Sequence, residues 1–167
     1  MKIDSYLFDA CLKCHTKCWL RSQGESGGRN EYAAWMHSQN EVYRSEGVRR
    51  LVGAVPPSKC VSDPPLADRL KSAKWRFGID LLAQTQTLES RLQAVERVPS
   101  EGRGKPAQFI PIRFVFTNKL SKDDKLLLAF DAVALAEVLG EKVNLGKIIH
   151  GDDHTMVQVR RGCPGFS

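Results

Sequence analysis

The chain has 167 residues, 42% hydrophobic and 26% charged, with a formal net charge of +6. That length is ordinary for one domain with one buried core, and the composition is that of a globular protein rather than a disordered or fibrous one. No run of about 18 apolar residues occurs, which excludes a predicted membrane span, and Met1–Ser5 lacks the apolar stretch of a secretion signal, so a cytoplasmic location without a membrane partner is expected.

In chain order, the first third reads as helical. Ser5 is placed to cap a short helix through Leu7, Phe8 and Cys11, leading into Cys14, Cys18 and Trp19. Residues 23–28 are a loop by composition, and a longer helix is expected over Asn30–Val52, with Tyr32, Trp35, Met36, Tyr43, Gly47 and Leu51 at helical spacing. Pro56-Pro57 and Pro64-Pro65 bracket a short strand around Cys60, with a helical turn expected near Leu66–Lys71.

From Lys74 the period changes to two. Trp75, Phe77, Ile79 and Leu81 alternate with Arg76, Gly78, Asp80 and Leu82, which predicts a half-buried strand. The next strand places Ser90, Leu92, Ala94 and Glu96 on one face, Pro99–Pro106 forms a basic turn, and Gln108–Thr117 returns as an apolar strand. Ser121 with Asp124 reads as a capping box opening a helix that ends at Leu139 before Gly140. Strands at Lys147–His150 and Met156–Arg160 follow, with His150–His154 between them read as a turn. The predicted fold class is α+β: a mixed sheet with a central hairpin, flanked by helices. Residues 1–55 form the N-terminal helical region with its cysteine cluster, 56–161 the sheet and helix core, and 162–167 a short tail.

Two features carry chemistry. Glu96 sits on an apolar strand face, where a carboxylate must be paired, protonated or bound to a cation. A metal-dependent nuclease uses such an acid together with an acid and a lysine two positions apart on the neighbouring strand, because residues i and i+2 share a face and reach one Mg²⁺ and one scissile phosphate. On the returning strand that pair is Arg113 and Val115, and the bland alternative is a cross-strand Glu96–Arg113 ion pair. Asp80 is the candidate second metal ligand. The window Arg97–Lys122 holds six basic residues against Glu101 alone, and Arg97, Arg103, Lys105 and Lys119 are the candidate contacts to a nucleic-acid backbone. A solvated basic loop is the alternative.

Five cysteines are an odd number and are expected to stay reduced. Cys11-Leu12-Lys13-Cys14-His15 has c-type haem spacing, which the missing export signal argues against, and Cys11, Cys14 and Cys18 on one helix lack the knuckle geometry of a zinc site. Iron–sulfur ligation, with Cys163 as a distant fourth member, and small buried thiols are the remaining readings. There is no G-x-S-x-G, Walker A loop or H-E-x-x-H.

Leu12–Arg21, Ala94–Pro99, Phe109–Phe114, Asp124–Phe130 and Gly146–Gly151 together resemble the N-terminal part of RecB-like nucleases of the PD-(D/E)XK type, related to iron–sulfur CRISPR-associated and AddB-type exonucleases. The resemblance covers Leu7 to about Val159. It implies a restriction-endonuclease-like sheet, DNA as partner, Mg²⁺ as cofactor and a helicase-like partner region beyond this chain. It sets Glu96 in the place of the first metal-binding acid and Cys14 in that of an iron–sulfur cysteine, with His15 replacing the proline that follows. Arg113 and Val115 fall where the second acid and the lysine stand, and Lys125 where a glutamine often does. The three further cluster cysteines of such enzymes have no counterpart before the chain stops at Ser167, which implies a C-terminally truncated copy whose hydrolysis is weak or absent. The alternative is a catalytically inactive nucleic-acid-binding or scaffold domain.

Overall fold

A computed structural model describes residues 2–25, 27, 30–64, 73–100, 102 and 106–160. The expected turn at 66–71, the tail from 161 onward with Cys163, and the candidate contacts Arg103 and Lys105 lie outside the described residues. The described residues form β1 (Ile3–Asp4), α1 (Ser5–Lys13), α2 (His15–Ser22), α3 (Glu31–Gly53), a 3-10 turn at Pro57–Lys59, β2 (Cys60–Ser62), β3 (Phe77–Gln84), β4 (Leu88–Val98), β5 (Gln108–Val115), α4 (Lys122–Leu139), β6 (Leu145–His150) and β7 (Thr155–Arg160). The fold is α+β, as the periodicities predict.

The sheet order is β2-β3-β4-β5-β6-β7. β3, β4 and β5 form an antiparallel meander, β6 returns through α4 to lie parallel to β5, and β7 pairs antiparallel with β6. β2 adds in parallel to β3. β1 pairs in parallel with the start of β4, taking up the edge that β5 leaves open beyond Ala94.

Local chemistry explains the helix ends. Ser121 Oγ accepts from Asp124 N at 3.1 Å while Asp124 Oδ2 accepts from Ser121 N at 2.8 Å, completing the expected capping box of α4. Gly140 ends that helix with φ of 65°, a left-handed conformation that glycine adopts without a Cβ penalty. Asn30 caps α3 through Ala33 N. At the first helix the cap is Asp4, one residue before the expected Ser5, because its carboxylate reaches Leu7 N at 2.7 Å.

Helices cover both faces of the sheet. On one, α4 supplies Leu128, Ala132, Leu135 and Leu139 to a core with Leu81, Leu92, Val95 and Ile148. On the other, Tyr43 of α3 packs with Phe77, Ile79, Ala94, Ile112, Phe114 and Ile149. The approach of α3 depends on Gly47, since a Cβ there would lie 2.4 Å from the Phe114 ring. Tyr43 also donates its hydroxyl to Gly151 O at 2.8 Å, tying α3 to the turn between β6 and β7.

One strand irregularity corrects the simple alternation. Ser90, Leu92, Ala94 and Glu96 are expected on one face, yet Leu92 joins the α4-side core while Ala94 joins the α3 side. The same change separates Ile79 from Leu81 on β3. It falls at Asp80, whose φ is 56°, and at Gln93, which lies opposite between the registered pairs Ile79↔Ala94 and Leu81↔Leu92. Gln93 Oε1 accepts from Phe114 N at 2.7 Å, replacing the backbone ladder where the β4–β5 pairing stops.

Candidate functional site

Glu96 lies on the α3 side of β4, opposite Phe77 and Ile110, with its side chain 8% exposed. Lys147 of β6 reaches across β5 to place Nζ 2.5 Å from Glu96 Oε2. Arg76 donates to Oε1 at 3.3 Å from the solvent side. Both oxygens are thus met by cations.

Arg113 does not pair with Glu96, contrary to the alternative the sequence offers. Antiparallel register sets Glu96 against Ile110 and Ala94 against Ile112, so the even-numbered residues of β5 share its face. Arg113 points to the opposite side, where Nε meets Asp131 Oδ2 of α4 at 3.1 Å. Val115 packs against the α4-side core. The i, i+2 pair is intact as geometry but faces away from Glu96.

Asp131 is almost fully buried and accepts a second bond from Ser90 Oγ at 2.6 Å. Ser90 is in turn 2.9 Å from Ser5 Oγ. This polar chain links α1, β4, α4 and β5 through the core. Burial pushes the Asp131 carboxyl above its ordinary range, opposed by the Arg113 charge and the Ser90 hydrogen bond.

Asp80 forms an ion pair with Arg44 of α3, which also binds Glu41 at 3.0 Å. Three residues of strand separate the levels of Asp80 and Glu96, about 10 Å at ordinary strand rise, and each carboxylate is held by its own cation, Arg44 for Asp80 and Lys147 for Glu96. Among the described residues no three His, Cys, Asp or Glu side chains gather as a metal-holding group. The residue across from Asp80 is Gln93, followed at i+2 by Val95, so a paired acid and lysine are missing from that register too.

The cysteines differ from their expected reduced state. The helix breaks at Cys14, which has extended backbone and serves as C-cap of α1 and N-cap of α2. That elbow folds α2 against α1 and brings Cys11 to Cys18 as a disulfide, which one continuous helix would not do. Arg21 stacks over the Tyr6 ring at 3.3 Å beside it. Cys14 itself is exposed, and hydrogen bonds from the Lys17 and Thr16 backbone at the start of α2 lower its thiol pKa. Burial raises that of Cys60. Brief treatment with an alkylating reagent is therefore expected to label Cys14 well before Cys60, read by peptide mass mapping. Equal labelling would remove the activated-thiol assignment.

The candidate backbone contacts divide. Arg97 lies near the end of β4, opposite Phe109 at the start of β5, whereas Lys119 follows the far end of β5, a strand length of roughly 25 Å away. What Arg97 does join is a pocket of about 410 Å³ lined also by Lys59, Lys74, Arg76, Trp75 and Glu96. Lys59, Lys74 and Lys147 escaped sequence reasoning, because each stands alone in its own segment and only the sheet assembles them. The one signal in the chain was Lys147 itself, a lysine set directly before Ile148-Ile149 in an apolar strand.

The chain matches no protein-family model and no curated protein.

Proposed function

We propose that this chain is a nucleic-acid-binding domain on a RecB-like nuclease framework, holding DNA through its basic surface without cleaving it. The observation that carries this reading is the internal neutralisation of every candidate catalytic carboxylate: Glu96 by Lys147 and Arg76, and Asp80 by Arg44. A metal would have to displace a paired cation at either position. The order of parts supports the framework, with an antiparallel meander followed by a helix and a strand parallel to the meander's last member. It is the arrangement expected of a restriction-endonuclease-like core. DNA as partner and a cytoplasmic location belong to the same reading. Among the described residues, no helix is long and apolar enough to cross a membrane.

The test is anisotropy with labelled single- and double-stranded DNA, in EDTA and in Mg²⁺ or Mn²⁺, with product analysis. Binding unaffected by EDTA and without cleavage is expected. For four phosphate contacts on a duplex, affinity falls roughly a hundredfold between 50 and 200 mM salt. Metal-dependent cleavage that disappears in Asp80→Asn would overturn the reading in favour of an active nuclease.

A further inference from the structure

The pocket between the 3-10 turn and the ends of β3 and β4 has a composition that backbone contact alone does not require. Lys59, Lys74, Arg76 and Arg97 line it against one acid, Glu96, whose charge is already met from behind by Lys147. Lys59 and Lys74 have no carboxylate partner among the described residues. Arg97 Nε is buried without an acceptor there. The excess positive charge therefore converges on one concavity instead of tracking along a strand.

The rest of its lining is apolar. Val98 and Pro99 stand on one side, and Val55 and Pro56 belong to the same lining. Trp75 contributes a half-buried indole held edge-on against Phe109, with ring centroids 6.0 Å apart, and seated over Gly78, where a Cβ would meet the ring at 3.1 Å. An aromatic face beside clustered cations is the pairing that takes a nucleobase and its phosphate. At about 410 Å³ the pocket is within the range for a small ligand.

The geometry points to this pocket as a seat for a nucleoside monophosphate group, either a free nucleotide or the phosphorylated end of a strand. The assignment rests on the nucleic-acid reading above and adds to it a preference for strand ends. A terminal phosphomonoester carries about −1.5 to −2 charges near neutral pH, against one for an internal phosphodiester, so it gains most from cations gathered at one point. Cations acting inside a partly apolar concavity also attract more strongly than on an open surface. Both Glu96 oxygens already accept from a cation, so the acid repels an incoming phosphate less than a bare carboxylate would.

The experiment compares oligonucleotides of one sequence with and without a terminal phosphate, at the 5′ and then the 3′ end, by anisotropy. AMP and adenosine are titrated in parallel by calorimetry. The native chain is set beside the Lys59→Glu/Lys74→Glu double variant and Arg97→Gln, with thermal melts confirming the folded state. A terminal phosphate at one of the two ends is expected to tighten binding at least tenfold, and AMP is expected to bind where adenosine does not. Both effects should be lost in the variants. Equal binding of phosphorylated and hydroxyl-ended strands, within twofold, would overturn the pocket assignment and leave the nucleic-acid reading standing. Binding of AMP without any oligonucleotide would support the pocket and overturn the nucleic-acid reading, and failure of every ligand would overturn both.

Discussion

Lys147→Met is expected to destabilise the protein by about 3 kcal/mol, the lower end of the range for stripping one partner from a buried ion pair. Glu96 and Lys147 are 8% and 13% exposed, so the surviving carboxylate would be stranded with little access to water. Arg76 keeps the loss from being larger, but it binds at 3.3 Å from a side chain that is itself 56% exposed. The variant replaces a cation by an apolar group of similar length, so packing is largely retained and the measured cost is that of the unpaired charge. Urea denaturation of Lys147→Met, Glu96→Leu and the double variant checks it. The double variant should be more stable than the sum of the single losses predicts, because with both charges gone nothing remains unpaired. A loss within about 0.5 kcal/mol for Lys147→Met would show that water or Arg76 meets the demand of Glu96 alone.

Arg113→Met should cost a similar amount, about 3 kcal/mol near neutral pH, with a dependence on pH that runs through Asp131. Asp131 is already held above its ordinary range by burial, so the folded protein keeps this proton to higher pH than the unfolded chain. Its contribution to stability therefore falls as pH rises from the ordinary aspartate range to the raised folded value. Removing the opposing Arg113 charge raises the folded value further and widens that window upward. The deficit of Arg113→Met relative to the native chain should accordingly shrink as pH falls and the carboxyl becomes protonated in both proteins. Denaturation at several pH values gives the answer, and a deficit independent of pH would remove Asp131 as its cause.

The parts of this molecule that were legible in the chain are those whose causes are local. The capping box of Ser121 and Asp124, the stop at Gly140 and the turn at His150–His154 each depend on a few neighbouring residues, and each is found where expected. The existence of β3, β4 and β5 was equally plain from their alternation. What alternation concealed is the change of face at Asp80 and Gln93, which depends on a positive φ and on a side-chain bond to Phe114 N. The candidate site suffered for the same reason. Pairing Glu96 with Arg113 assumed a register one residue away from the real one, and in a sheet one residue is the difference between two faces. The disulfide was hidden by the assumption of a continuous helix through Cys14.

The pairing of Ile3 and Asp4 with Leu88 and Glu89 sets a timetable for self-assembly. β3 and β4 are joined by a connection of only a few residues, whereas seating β1 closes a segment of more than eighty. By the logarithmic cost of closing a flexible loop, that difference is roughly 2–3 kcal/mol against β1 at the outset. Docking of β1, and with it of the cysteine-bearing elbow of α1 and α2, is thus expected only after the β3–β4 hairpin has closed.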